Sequence, residues 1–111
     1  MPHITVEYTE TLSVDMPKLL SALHKDLAGR ESVNIHAIKT RAIPVQYSIV
    51  GDGHEDDKMI HICLKLLPGR SDELRTEMAQ GLQAAARKIA IDDRIAITVE
   101  TADLHAASYT K

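Results

Sequence analysis

Apolar and polar residues alternate along three stretches of the chain, residues 3–8, 58–67 and 95–101, and this period of two predicts β-strands. In the second stretch the alternation leaves one wholly apolar face, formed by Ile60, Ile62, Leu64 and Leu66. Residues 37–50 form a further extended region. Pro44 lies inside it, and an interior proline restricts a strand to a sheet edge or a bulge.

Two other stretches repeat their apolar residues at helical spacing. The first stripe is Leu19, Leu20, Leu23 and Leu27, preceded by a good N-cap, Asp15, and by Pro17 in the first turn, and followed by a stop at Gly29. The second stripe is Leu74, Met78, Leu82, Ala85 and Ile89, with Ser71 as its N-cap.

In chain order these elements are β-α-β-β-α-β. Parallel β-α-β units cross over with a right hand and place their helices on the same side of a sheet. The pattern therefore predicts a two-layer α/β sandwich, of α+β or α/β class, with a four-stranded sheet and two helices on one face. With 111 residues and no linker, we expect one domain over residues 1–111.

The amino-acid composition limits the kinds of function and assembly that the chain can have. The chain has no Trp, no Phe and only three Tyr, so its core must be aliphatic, and a small core of this kind is often completed by contact with another subunit. The formal charge is -3 with both signs interspersed, and no Lys/Arg stripe suggests contact with a phosphate backbone. We therefore expect an oligomer that does not bind nucleic acid.

The single cysteine, Cys63, lies in an apolar run, which suits a reducing compartment. The chain shows neither a secretion signal nor a stretch of membrane-spanning length, so a cytoplasmic protein without a membrane partner is expected. The six histidines lack paired metal-ligand spacing, and the acidic turn at 52–57 lacks the ligand alternation of a calcium loop. No metal is expected.

Pro2 is the first candidate for chemistry. Removal of Met1 would expose its secondary amine, and an α-amino group titrates near about 8. Apolar surroundings or nearby cations would lower the pKa of this amine towards neutrality, where a general base works best. On the predicted strand Pro2 shares a face with Ile4 and Val6. A proline that merely starts a strand is the competing interpretation.

Two arginines favour the catalytic interpretation. Arg41 lies on the second extended region, and Arg70 lies just before the second helix, after Pro68 and Gly69. A guanidinium binds a carboxylate through two parallel hydrogen bonds, and a helix N-terminus adds free N–H groups that favour anions. Either arginine alone could be an ordinary surface charge, but a base with two anion-binding groups suggests an active site.

These residues belong to a wider resemblance. The sequence resembles the 5-carboxymethyl-2-hydroxymuconate isomerases of the tautomerase superfamily almost end to end. The similar segments are PHITVEY at the start, residues 39–42 (KTRA), residues 52–54 (DGH) with 60–62 (IHI), residues 69–71 (GRS), and Ser108 with Tyr109.

The resemblance implies a bacterial homotrimer of β-α-β-β-α-β subunits that acts in homoprotocatechuate breakdown without a metal or cofactor. It implies Pro2 as the proton-transfer base, and Arg41 and Arg70 as the groups that hold the carboxylates of a small polyanionic substrate. In that reaction a 2-hydroxymuconate enol becomes an unsaturated 2-oxo acid.

Two alternatives stay open at this point. One keeps the proline base but assigns hydration or dehalogenation of an unsaturated acid. The other is a non-catalytic trimer that binds a small anion. The enzymatic interpretations require loss of Met1, because a Pro2 nitrogen in a peptide bond has no usable basicity.

Overall fold

The computed structural model describes residues 2–111 and contains four strands and two α-helices in the predicted order. The strands are β1 (His3–Thr9), β2 (Lys39–Val45), β3 (Lys58–Leu66) and β4 (Ile95–Asp103). The helices are α1 (Met16–Ala28) and α2 (Asp72–Ile89), and a short 3₁₀ turn, Ile35–Ala37, precedes β2. The predicted fold class is confirmed.

The four strands form one sheet in the order β2-β1-β3-β4. Within each β-α-β half the strands are parallel, β1 with β2 and β3 with β4, and the two halves meet where β1 and β3 run antiparallel. Consequently β1 and β2 begin at the same end of the sheet at which β3 and β4 finish. We call this the site end.

Local chemistry fixes where both helices begin. The Asp15 carboxylate accepts a hydrogen bond from the Lys18 N–H at 3.0 Å, and the Ser71 hydroxyl accepts one from the Leu74 N–H at 3.2 Å. Each cap satisfies a backbone donor that lacks an intrahelical partner. The helix α1 ends at Gly29, whose N–H donates to the Lys25 carbonyl. All three predicted boundary residues are confirmed.

The core lies between the sheet and the two helices and is aliphatic, as the composition requires. It contains Ile4, Val6, Leu19, Leu23, Leu27, Ile38, Ile60, Ile62, Leu64, Leu66, Met78, Leu82, Ala86, Ala90, Ile95 and Ile97. On α2 the fully buried alanine is Ala86, whereas the predicted Ala85 packs at the border of the core. Burying each of the valine, leucine, isoleucine and methionine side chains of this core contributes about 1.5–3 kcal/mol.

The second extended region is shorter than predicted. Of residues 37–50, only Lys39–Val45 pair with a neighbouring strand, and residues 46–57 form bends and turns. The strand ends there because its partner β1 ends at Thr9, which faces Val45 in the register. Pro44 lies within β2, which is an edge strand, so the edge placement that its missing N–H suggested is confirmed.

The face of the sheet opposite the helices, here called the free face, carries mostly polar side chains. By register it presents His3, Thr5, Glu7, Lys39, Arg41, Ile43, Met59, His61, Cys63, Lys65, Ala96, Thr98, Glu100 and Ala102. Several of these, including Thr5, His61 and Cys63, are only half-exposed. Within residues 2–111, no helix has the length and apolar character needed to cross a bilayer.

Candidate active site

Pro2 lies at the site end of the sheet, immediately before the central strand β1. Its side chain is less than 2% exposed, as buried as Ile4 and Val6. The Pro2 carbonyl accepts a hydrogen bond from the Lys39 N–H at 3.1 Å, which extends the β1–β2 ladder by one position. This bond fixes the backbone of Pro2 against the start of β2. Met1, whose removal the proline mechanism requires, lies outside the described residues.

Arg41 lies on the free face two residues into β2, opposite Thr5 in the register. Its Nη1 donates to Nδ1 of His3 at 3.2 Å, so the guanidinium sits beside the residue that follows Pro2. Arg41 is exposed, and its remaining N–H groups can bind an anion. The structure therefore places Arg41 on the strand beside β1 but on the free face, whereas Pro2 has the parity of Ile4 and Val6 on the helix side.

Arg70 is placed by the turn between β3 and α2. Gly69 before it has φ = 119°, which favours glycine, and Ser71 after it caps α2. Nη2 of Arg70 donates to the Ser32 carbonyl, in the loop after α1, at 3.2 Å. Its Nε is buried without a hydrogen-bond partner. Arg70 thus shares the site end with Pro2 and Arg41, but its hydrogen bond is made to the α1 loop and not to Arg41.

Two further cations lie at the same end. Lys39 on β2 and Lys65 on β3 both face His3 across the sheet. Burial lowers the pKa of His3 below its ordinary 6.5, and the charges of Arg41, Lys39 and Lys65 lower it further. Cationic side chains therefore cluster around His3, although the whole chain carries a net charge of -3. An anionic ligand would be drawn to this end of the sheet.

The C-terminal segment also reaches this end. Leu104 N–H donates to the Leu66 carbonyl at 2.7 Å, and the Tyr109 hydroxyl lies 2.7 Å from Nε2 of His3. The two rings meet edge to face, with centroids 5.9 Å apart. Tyr109 therefore contacts His3, the residue that also lies within hydrogen-bond distance of Arg41.

Sequence reasoning gave no role to His3, Lys39, Lys65 or Tyr109. Lys39 and Lys65 could have been found from the strand register, because a parallel β1–β2 pair and an antiparallel β1–β3 pair place both lysines opposite His3. The contact of Tyr109 with His3 had no such signal. Among the described residues, no group of three or more His, Cys, Asp or Glu side chains is arranged to hold a metal ion.

The fold and the sequence both have known relatives. The chain is 30% identical to the 5-carboxymethyl-2-hydroxymuconate Delta-isomerase of Escherichia coli over 84 residues, which cover 74% of this chain and 67% of that protein. It also resembles the crystal structure of a 5-carboxymethyl-2-hydroxymuconate isomerase from Deinococcus radiodurans R1, with a TM-score of 0.88 and 26% identity, over 99% of this chain and 87% of that one.

A fused 4-OT protein, described as a symmetric trimer, matches 96% of this chain and 99% of its own with a TM-score of 0.77. At 19% identity this likeness shows the fold alone. Fold and relatives together define a tautomerase-like scaffold, and the protein is an isomerase. Residues 2–111 match the family described as 5-carboxymethyl-2-hydroxymuconate isomerase, and the chain belongs to that family.

Proposed function

We propose that this isomerase converts 5-carboxymethyl-2-hydroxymuconate, or a closely similar enol, into its unsaturated 2-oxo acid in the catabolism of aromatic compounds such as homoprotocatechuate. The family and the E. coli relative support this substrate class. The proposal treats the whole chain as one domain that needs no metal or cofactor and acts in the cytoplasm, where an unpaired thiol such as Cys63 persists.

The proposed mechanism begins with the amine of Pro2, freed by removal of Met1. The amine takes the proton from the enol hydroxyl, and the electron pair of that O–H bond forms the 2-oxo carbonyl. The double bonds shift along the conjugated chain, and the protonated amine returns a proton to a conjugated carbon. A general base requires the neutral form of the amine, which apolar surroundings or a nearby cation would favour.

Arg41 and Arg70 complete the proposed site by binding the substrate carboxylates and stabilising the charge that develops on the enolate oxygen. The observation that carries the proposal is the placement of Pro2 at the start of the central strand, with Arg41 hydrogen-bonded to the adjacent His3. Arg70 would exchange its bond to the Ser32 carbonyl for a stronger, charge-assisted bond to the substrate.

We also propose that the protein is a homotrimer. The trimeric 4-OT protein shares its fold, and the half-exposed side chains of the free face suit a subunit contact. In this arrangement the substrate would be a small polyanion bound near a subunit boundary, with the local arginines overcoming the net acidity of the chain.

The decisive experiment is an ultraviolet assay of ketonisation with 5-carboxymethyl-2-hydroxymuconate, using protein made without an N-terminal tag. Intact mass should show loss of Met1. Pro2→Ala should lower kcat/KM by at least about 100-fold, the ordinary contribution of a positioned acid/base. Wild-type turnover in Pro2→Ala, or complete retention of Met1 in active protein, would overturn the proline mechanism.

The arginines are tested in the same assay. Arg41→Ala and Arg70→Ala should each lower kcat/KM by about 10- to 100-fold, the effect of losing one charged hydrogen-bonding group. Arg94→Ala is the matched control, because Arg94 pairs with Asp57 at 3.0 Å at the end of the sheet remote from Pro2. Equal losses in all three variants would argue against specific carboxylate binding.

A further inference from the structure

The last residues of the chain are tied to the site end by two anchors. Leu104 N–H donates to the Leu66 carbonyl and continues the line of β4 past the end of β3. A turn then follows, in which the Tyr109 N–H donates to the His105 carbonyl at 3.0 Å. This turn directs the half-buried Tyr109 ring onto His3, whose Nε2 lies 2.7 Å from the tyrosine hydroxyl.

The contacts of His3 define which of its nitrogens carries the proton. A guanidinium has only donors, so Nδ1 of His3 must accept the hydrogen bond from Arg41. The proton of the neutral ring is then on Nε2, which donates to the Tyr109 oxygen. The Tyr109 hydroxyl keeps its own hydrogen free to donate elsewhere. The direction of donation runs from Arg41 to His3 to Tyr109.

We propose that His3 and Tyr109 are positioning residues that hold the guanidinium of Arg41 in the orientation that binds the substrate carboxylate. The inference rests on the proposed function, since it assigns a purpose to Arg41 in that reaction. It makes the C-terminal tail a part of the site: Tyr109 fixes the ring of His3, and the ring fixes Arg41. Neither residue touches the proton that is transferred.

The charges around His3 support this arrangement. The ring faces Arg41 and Lys39 on β2, Lys65 on β3 and the uncharged Tyr109 on the tail. Burial and these three cations lower the pKa of His3, so the ring is neutral near pH 7 and can accept from Arg41. Protonation would place a hydrogen on Nδ1. The hydrogen bond from Arg41 is therefore intact above the pKa of His3 and is lost as the pH falls through it.

The geometry can be tested without any substrate. Nitrogen-15 NMR of the imidazole should show the Nε2–H tautomer for His3 and titration below pH 6.5. Tyr109→Phe should raise the fraction of the Nδ1–H tautomer of His3 and shift the pH at which His3 titrates. Tyr47→Phe is the matched control, because it removes the same atom from a ring that is 83% exposed, and it should leave the His3 signals unchanged. An Nδ1–H tautomer in the wild type would overturn the proposal.

Kinetics test the positioning role. His3→Leu should raise KM about 3- to 10-fold, the effect of losing one hydrogen bond, with kcat changed less than about twofold. His3→Asn has nearly the same size and places an oxygen near the former Nδ1, so it should restore much of the lost KM effect. Tyr109→Phe should raise KM in the same direction by a smaller factor.

The outcomes separate this inference from the function on which it rests. A wild-type protein without isomerase activity would overturn the proposed function, while the NMR result would still decide whether the Arg41–His3–Tyr109 arrangement exists. An active wild type in which His3→Leu leaves KM unchanged, or in which His3→Asn is as impaired as His3→Leu, would overturn the positioning role.

Discussion

At the residue scale, Cys63 illustrates how the sheet controls reactivity. The thiol lies on the free face, where strand pairing places it opposite Thr5 on β1 and Glu100 on β4. Burial raises its pKa most, and the Glu100 carboxylate raises it further. Lys65 opposes these effects by less than Glu100 contributes, and Glu7 raises the pKa least. The thiolate is the reactive form, so this cysteine is a poor nucleophile at neutral pH.

Alkylation measures this effect. Iodoacetamide at pH 8 should modify Cys63 several-fold more slowly in the folded protein than in the urea-unfolded chain, and Glu100→Gln should speed the reaction of the folded protein. The readout is the rate of mass increase. Equal rates for folded and unfolded chains would contradict the raised pKa.

Individual site residues differed in how far the sequence could reveal them. Pro2, Arg41 and Arg70 could be proposed because their residue types and their positions at element ends are visible in one dimension. The contact between His3 and Tyr109 joins residues 106 positions apart. It depends on the direction that the tail takes after β4, and no periodicity or capping signal specifies that direction.

At the element scale, helix boundaries that depend on local capping residues could be predicted from the sequence. The end of a strand that depends on a neighbouring strand could not. Asp15, Gly29 and Ser71 act on their own helices, so their sequence signals sufficed. The end of β2 depends instead on where β1 ends, and residues 46–50 leave the sheet although their sequence suits a strand. Strand propensity depends strongly on such context.

The contact between the helices gives a further prediction. A Cβ at Gly81 of α2 would overlap Nη2 of Arg30, which pairs with Asp26 at 3.3 Å. Glycine in a helix costs about 1 kcal/mol relative to alanine, and a partly exposed ion pair contributes up to about 1 kcal/mol. Gly81→Ala should therefore change the free energy of unfolding by less than about 1 kcal/mol, because the two effects oppose each other.

In an Arg30→Ala background the overlap with Nη2 is absent, and only the Asp26 carboxylate, 2.7 Å from the added Cβ, must still shift. Gly81→Ala should then stabilise the protein by up to about 1 kcal/mol. Urea denaturation at one fixed protein concentration compares the four proteins of this double-mutant cycle. The same effect of Gly81→Ala in both backgrounds would show that Arg30 does not restrict this position.

At the scale of the whole molecule, the free face would be exposed in a monomer and would form the subunit contact in the proposed trimer. Light scattering should give three times the mass of one chain. Cys63→Arg places a charge in the centre of the free face and should shift the protein to smaller species, whereas Gln80→Arg, on the exposed side of α2, should not. A monomeric wild type, or a trimeric Cys63→Arg variant, would contradict the free face as the subunit contact.

The two β-α-β halves lie side by side, with β1 and β3 antiparallel. The start of β3 therefore corresponds to the start of β1 but lies at the opposite end of the sheet. The residue that corresponds to Pro2 is Asp57, which lies within the chain and pairs with Arg94. Repeating a β-α-β unit repeats the scaffold, but a polypeptide has a single amino terminus. With Pro2 as the base, the internal symmetry of the fold cannot extend to its chemistry, and a covalent reagent for the prolyl amine should saturate at one equivalent per chain.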